Sequence, residues 1–174
     1  MRKFNSILTA CLLIVALSIT PNNLFAYTDA TLGFSIDFPV GWETQTNQFN
    51  VPVISFSPLA GPTDTMRENI NVVSEVLPQP MLADQYYQAN MTNMHKVLQN
   101  FQVIEKTNIQ LGTASAVRIV ATYSVGQITA RALTFFVVNT LGNRGYVVTC
   151  TATNETFNQF LPAFQQTAMT FRLN

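Results

Sequence analysis

The sequence contains few charged or reactive side chains. Of its 174 residues, one is a histidine and two are cysteines, and charged residues make up only 10%. No block of lysine and arginine occurs, so the chain lacks the positive surface with which proteins contact nucleic-acid phosphates. A Gly-x-Ser-x-Gly nucleophile turn and a glycine-rich phosphate loop are also missing. These absences argue against nucleic-acid binding, nucleotide binding and serine-hydrolase chemistry.

The N-terminal residues have the layout of a secretory signal peptide. Arg2 and Lys3 precede an uncharged apolar run at residues 7–19, and a small residue, Ala26, follows it at the distance where signal peptidases cut. The run is shorter than the roughly 20 residues needed to cross a bilayer, which disfavours a permanent membrane anchor. We therefore expect residues 1–26 to be a signal peptide and the mature protein to be periplasmic or secreted.

Cys11 offers a different kind of attachment. Leu8-Thr9-Ala10-Cys11 resembles the lipobox of bacterial lipoproteins. Lipid attachment requires the apolar run to precede the cysteine, whereas most of this run follows it, so lipoprotein anchoring through Cys11 is less favoured. Removal of the leader leaves Cys150 as the only cysteine of residues 27–174, which leaves no internal disulfide. That length suits one domain with its own hydrophobic core.

The stretch GFSIDFPVGW, residues 33–42, alternates like a strand and then turns. Pro39 cannot donate a ladder hydrogen bond, Gly41 permits a sharp turn, and Trp42 begins the returning segment of a hairpin. The tryptophan is either a hydrophobic plug over the strand just left or an exposed ligand platform, and the plug is favoured. Pro39, Gly41 and Trp42 are therefore predicted to form a structural corner.

Apolar periodicity predicts two helices and several further strands. The first helix, residues 81–100, is predicted to bury a stripe formed by Ala83, Tyr87, Met91, Met94 and Leu98. The second is predicted to begin at an Asn154 cap, to kink or restart at Pro162, and to bury Phe157, Leu161, Phe164, Ala168 and Phe171. Further strands are predicted at residues 54–58, 70–76, 103–111, 117–125, 129–139 and 146–153. Residues 133–138 are apolar on both faces, which predicts a central strand covered on both sides.

Both ends of the mature chain resemble a known superfamily. The opening GFSIDFPVGW resembles the start of PsbP-like domains. Residues 145–153, a helix and Met169-Thr-Phe-Arg172 resemble their final strand, helix and Ser-Phe-Arg ending, with Thr170 in place of serine. The chain is similar in this way to PsbP-like and DcrB-like superfamily domains, which share the PsbP/Mog fold. The resemblance implies an α+β fold: an α-β-α sandwich with a largely antiparallel sheet flanked by helices.

His95 and Cys150 are the candidates for chemistry. His95 falls on the polar side of the first helix and Cys150 on the apolar face of a strand, which predicts a solvated imidazole and a buried, inert thiol. One histidine without a second mature cysteine cannot supply a typical zinc site, and the metals of some PsbP proteins do not carry over because no histidine pair is present. Asp64 and Glu68 lack the spacing of a calcium loop. We expect no catalytic residue, no cofactor and no metal.

The favoured hypothesis is a non-catalytic exported protein that acts as an accessory or interaction module for a membrane-protein complex in the periplasm, as the resemblance to PsbP and DcrB implies. Irregular loops often carry function, and residues 59–69 have a loop-like composition, although an ordinary solvated loop is the alternative interpretation. The candidate contact surface is therefore this loop, with Pro62, Asp64, Arg67 and Glu68 as its candidate residues.

Three other functions are weighed against this hypothesis. A small ligand or lipid is expected to occupy a cavity lined by Tyr86, Tyr87, Met91 and Met94, if such a cavity exists. A role as a photosystem II accessory protein applies if the host is photosynthetic. A hydrolase would require a pocket that unites His95 with an acid and a serine or cysteine.

Overall fold

The computed structural model describes residues 24–49, 51–62, 64 and 66–174. The predicted apolar run at residues 7–19 and Cys11 lie outside the described residues. The described chain forms ten strands and two helices. In chain order they are β1 (Leu24–Asp29), β2 (Phe34–Pro39), β3 (Glu43–Gln48), β4 (Val51–Phe56), β5 (Asn69–Val76), α1 (Ala83–Val97), β6 (Gln99–Leu111), β7 (Ala114–Val125), β8 (Ile128–Asn139), β9 (Arg144–Thr153), α2 (Phe157–Met169) and β10 (Arg172–Leu173).

The strands form two sheets, and the strand pairs recorded for them are antiparallel. A seven-stranded sheet has the order β3-β4-β5-β9-β8-β7-β6, and a small sheet has the order β1-β2-β10. Strands β8 and β9 form a hairpin in which Asn139 lies opposite Arg144, as the turn residues of the sequence predict. The prediction of an α+β fold with a largely antiparallel sheet is confirmed.

Strand β8 supports two separate hydrophobic clusters because neighbouring residues of a strand point to opposite faces. Leu133 and Phe135 belong to a cluster with Phe157 and Phe164 of α2, called here the α2 cluster. Phe136 belongs to a cluster with buried residues of α1, called here the α1 cluster. The prediction that residues 133–138 are covered on both faces is confirmed, since all six are buried.

Each helix covers a different group of strands. Helix α1 contacts β6, β7 and β8, and its buried residues are Ala83, Tyr86, Tyr87 and Met91. Helix α2 contacts β2, β8 and β9, and its buried residues are Phe157, Phe164, Thr167 and Ala168. Neither of these described helices has the length and apolar character needed to cross a membrane. The predicted stripes are thus largely correct, although they omit Tyr86, which is 2% exposed.

The predicted hairpin between residues 34–38 and 42–46 is wrong. Strand β2 pairs with β1 and β10 in the small sheet, whereas β3 pairs with β4 in the large one. The turn at Pro39 therefore carries the chain from one sheet to the other. The first strand instead takes its partners from residues 24–29 and from the C-terminus, two segments whose composition does not predict strands.

The helix ends also differ from the predictions, because the predicted terminal residues belong to neighbouring strands or hydrogen-bond to them. Helix α1 ends at Val97, and the chain enters β6 at Gln99. The predicted cap Asn154 instead donates its backbone N–H to the carbonyl of Thr129 at 2.9 Å, which ties it to β8. Helix α2 begins two residues later, with Thr156 as its N-cap, and continues through Pro162 without restarting.

Gly145 of β9 lies directly against the ring of Tyr86 of α1. A Cβ added there would lie 2.5 Å from Cζ of Tyr86. That ring cannot easily move away, because the residue is 2% exposed and its hydroxyl donates a hydrogen bond to Glu75 at 2.8 Å. The absence of a side chain at position 145 therefore lets α1 approach β9.

We predict that Gly145→Ala lowers the free energy of unfolding by about 1–3 kcal/mol, because the new methyl group overpacks the contact with Tyr86. Urea denaturation measures the loss. Gly61→Ala is the matched control, since its Cβ would meet no atom within 4 Å. In a Tyr86→Leu background the effect of Gly145→Ala should shrink; an undiminished effect there would rule out this contact as its cause.

Candidate functional site

The predicted corner joins the two sheets. Its turn is closed by a hydrogen bond from the Trp42 N–H to the Pro39 carbonyl at 3.2 Å, and Gly41 adopts a φ of +87°, which favours glycine. The half-buried indole lies edge-on to two rings of α2, with centroid distances of 6.1 Å to Phe160 and 6.4 Å to Phe164. The contacts recorded for the indole are thus with α2, and the sequence pattern of the second helix does not include Phe160.

An open cleft adjoins the corner. It has a volume of about 350 Å³ and is lined by Phe25, Pro39, Val40, Gly41, Trp42 and Thr44. Phe25 and Val40 are each 58% exposed, so the cleft has apolar walls that face solvent. This cleft is an apolar recess beside the C-terminal end of β2, and the sequence patterns do not predict it.

The candidate contact loop is held by its own polar side chains. The Asp64 carboxylate accepts hydrogen bonds from the backbone N–H groups of Ala60 at 2.9 Å and Met66 at 3.2 Å. Pro62 is exposed. Asp64 therefore closes the loop on itself and leaves Pro62 at the surface.

Arg67 binds backbone and side-chain groups of the same sheet. Its Nε donates to the Ser57 carbonyl at 2.6 Å, and one guanidinium nitrogen donates to the Glu43 carboxylate at 2.7 Å. That hydrogen bond is the main cause that lowers the pKa of the exposed Glu43. The guanidinium carbon also lies 5.1 Å from the centre of the Phe56 ring. Arg67 thus fixes the base of the loop to strands β3 and β4.

Glu68 is buried, contrary to its assignment as a contact residue. It is 3% exposed, and its carboxylate accepts hydrogen bonds from the hydroxyls of Ser57 at 2.8 Å and Thr156 at 2.7 Å. Thr156 is the N-cap of α2, and the positive end of a helix dipole stabilises a nearby carboxylate. Glu68 therefore ties the loop to the start of α2 and is not available to a partner at the surface.

His95 and Cys150 lie in different parts of the fold. The His95 side chain is exposed on α1 and lies edge-on to Phe101, with a centroid distance of 5.0 Å. Cys150 is fully buried in the α2 cluster, and its thiol donates to the Phe164 carbonyl at 3.9 Å. Burial raises the pKa of the Cys150 thiol well above its usual value. Among the described residues, no three His, Cys, Asp or Glu side chains are grouped as metal ligands.

The residues expected to line a ligand cavity pack instead into the α1 cluster. Tyr86, Tyr87 and Met91 are at most 8% exposed, and Met94 packs against them. The rings of Tyr86 and Tyr87 both meet Phe136 edge-on, at centroid distances of 6.3 Å and 5.5 Å. These contacts fill the space between α1 and the sheet around Phe136. A different, open cleft of about 510 Å³ lies between the start of α1, at Ala83 and Asp84, and strands β6 and β7.

Comparisons with known proteins agree with this architecture. The sequence model of a family described as DcrB matches residues 34–169. Two solved structures each have a TM-score of 0.64, 14% identity and 90% coverage of this chain. One is cyanobacterial PsbP (CyanoP) from Synechocystis sp. PCC 6803, covered to 96%, and the other is LpqN from Mycobacterium tuberculosis, covered to 87%. The Saccharomyces cerevisiae Ran-binding protein Mog1p has a TM-score of 0.59 and 10% identity, with 87% of this chain and 95% of Mog1p covered. A search of curated proteins found no match.

These likenesses bear out the resemblance seen in the two ends of the sequence. At such low identities the solved structures support the fold alone.

We predict that Glu68→Ala lowers the free energy of unfolding by about 1–3 kcal/mol, because two hydroxyl donors lose their acceptor in a buried site. Urea denaturation measures the change. The nearby Glu155 is exposed, so Glu155→Ala is the matched control and should stay within about 0.5 kcal/mol of the parent. Equal effects of the two substitutions would show that the carboxylate of Glu68 does not hold the loop.

We predict that the Cys150 thiol is unreactive in the folded protein, because its raised pKa keeps it protonated and α2 covers it. Labelling with a chromogenic aromatic disulfide measures the rate in a Cys11→Ser chain, where Cys150 is the sole cysteine. In urea the Cys150 thiol should be labelled completely. Without urea, its labelling rate should equal the rate of global unfolding. Rapid labelling of the native protein would contradict the buried, inert assignment.

Proposed function

This chain belongs to the DcrB family, and from this membership we propose that it is an exported, non-catalytic protein. In this proposal the mature domain works in the periplasm as an accessory or interaction module for a membrane-associated protein or complex. The leader at residues 1–26 delivers it there. No nucleic acid, metal or cofactor takes part.

The separation of the two reactive side chains carries the non-catalytic part of the proposal. Nucleophilic catalysis by a cysteine needs a base within hydrogen-bond reach. Cys150 lies in the α2 cluster, whereas His95 lies on α1, which packs on the strands through the α1 cluster. The sheet lies between these clusters, so the imidazole cannot activate the thiol without unfolding of the domain.

The envelope location draws its support from the leader and from a relative. Residues 1–26 have the charge and hydropathy pattern of an export signal. LpqN, which shares the fold, is described as involved in cell envelope biogenesis. We extend that location to this chain as part of the proposal.

We also interpret the two-sided packing as the α-β-α sandwich of the superfamily. The alternation of Leu133, Phe135 and Phe136 between the two clusters supports helices on opposite faces of the large sheet. In this interpretation the small β1-β2-β10 sheet extends the layer that contains α2, because Phe34 and Phe38 join the α2 cluster.

The competing functions receive less support from the described residues. A ligand at the predicted position beside Tyr86 and Tyr87 would have to displace their packed rings from Phe136. CyanoP shares the fold at 14% identity, which does not extend a photosystem role to this chain.

Cell fractionation followed by crosslinking tests the proposal. We expect a tagged full-length chain to be recovered from the periplasmic fraction with Tyr27 as its N-terminus, and to capture a membrane protein after crosslinking of intact envelopes. A tagged unrelated domain carrying the same leader is the control. Recovery in the cytosol, or a captured set identical to that of the control, would contradict the proposed role.

A further inference from the structure

Strand β1 extends across the predicted cleavage position. Leu24, Phe25 and Ala26 pair with Pro39, Phe38 and Asp37, and the pairing continues from Tyr27 to Asp29. Export with cleavage after Ala26 would therefore remove the first half of a strand and keep the second half. The structure thus shows residues 24–26 still paired in the position that cleavage would vacate.

Residues 24–26 pair with the backbone of β2 along one edge of that strand. The Asp37 N–H donates to the Thr170 hydroxyl at 2.8 Å, which lies on the β10 side. Backbone groups of an antiparallel strand alternate in direction, so those of Phe38 face Phe25 on the β1 side. Phe38 is fully buried, and its N–H and C=O lose their strand partner when Phe25 leaves. A short unpaired edge is then left beside the corner cleft.

Cleavage also leaves charges that define the end of this site. Hydrolysis adds water across the Ala26–Tyr27 peptide bond, which gives a carboxylate on Ala26 and an ammonium group on Tyr27. The leader departs with the carboxylate, and the ammonium stays where β1 now begins. The vacated site therefore has an unpaired Phe38 backbone, apolar walls from Val40 and Trp42, and a positive charge at its closed end.

We propose that this site binds the C-terminal tail of a partner protein as a replacement strand. The tail runs antiparallel to β2, places an apolar or aromatic side chain where Phe25 lay, and ends in a free carboxylate that meets the Tyr27 ammonium. The tail must end there, because the retained residues Tyr27–Asp29 occupy the rest of the β2 edge. Main-chain pairing with capture of a terminal carboxylate is an established mode of peptide recognition.

This inference rests on the proposed export and processing, and its test is separate from the search for a partner. The probe is an acetylated peptide with the sequence Asn-Asn-Leu-Phe-Ala and a free C-terminus, matched by the same peptide with a C-terminal amide. The protein is the mature chain purified from cells after mass spectrometry of its N-terminus. The fluorescence of Trp42, the sole tryptophan, reports binding because this residue lines the cleft.

We expect saturable binding of the acid peptide, with the amide about two- to fivefold weaker, which is the range of an exposed ion pair. Val40→Asp should weaken the binding because it places a carboxylate in the cleft. Leu59→Asp is the matched control, since Leu59 is 56% exposed and lies outside the residues that line the cleft. It should leave the affinity unchanged.

Three results would overturn the inference: an N-terminus other than Tyr27, no saturable fluorescence change, or equal affinity for the acid and the amide. The envelope crosslinking experiment can still capture a partner through another surface in each of these cases. Conversely, peptide binding without any captured partner would contradict the proposed accessory role but would still support a peptide-binding site beside β2. The two proposals therefore fail in distinguishable ways.

Discussion

The fold depends on the two-faced apolar character of its central strands. Leu133 and Phe135 require cover on one side of β8 and Phe136 requires it on the other, so neither face of the large sheet can be left to water. The two helices and the small sheet supply this cover. Cys150 is buried and free, and no disulfide crosslinks the described residues, so the fold depends on this burial of apolar surface. Cys150 belongs to the α2 cluster and His95 to α1, so the two reactive side chains lie in different parts of the fold.

The polar interactions fix the position of a loop that the apolar clusters do not hold. Glu68 links the loop at residues 57–68 to the N-cap of α2, and Arg67 links the same loop to β3. The loop that looks most like a binding surface in the sequence is thereby held by internal contacts. The corner is different, because its apolar residues Val40 and Trp42 border an open cleft. An apolar recess that faces solvent thus lies at the junction of the two sheets.

Sequence patterns predict the elements whose partners are close in the chain or whose apolar residues follow a clear period. The β8–β9 hairpin, the buried stripe of α1 and the double-sided strand follow from turn chemistry and periodicity. Strand β10 is missed because its partner β2 is remote in the chain, and β1 is missed because its first half, Leu24–Ala26, is assigned to the leader. Glu68 is misassigned because a carboxylate reads as a surface group until Ser57 and Thr156 are seen beside it. The corner cleft is missed because one of its walls, Phe25, belongs to a segment assigned to the leader.

The small sheet can be completed only late in synthesis, because β10 pairs with the much earlier strand β2. Arg172 pairs with Ser35 and Leu173 with Phe34, and the N–H of Asn174 donates to the carbonyl of Gly33 at 3.1 Å. During synthesis, Phe34 and Ile36 emerge long before the residues that close their second edge. This edge of β2 therefore stays open until residues 172–174 have been synthesised, and removal of these three residues would take away the β10 partner of β2.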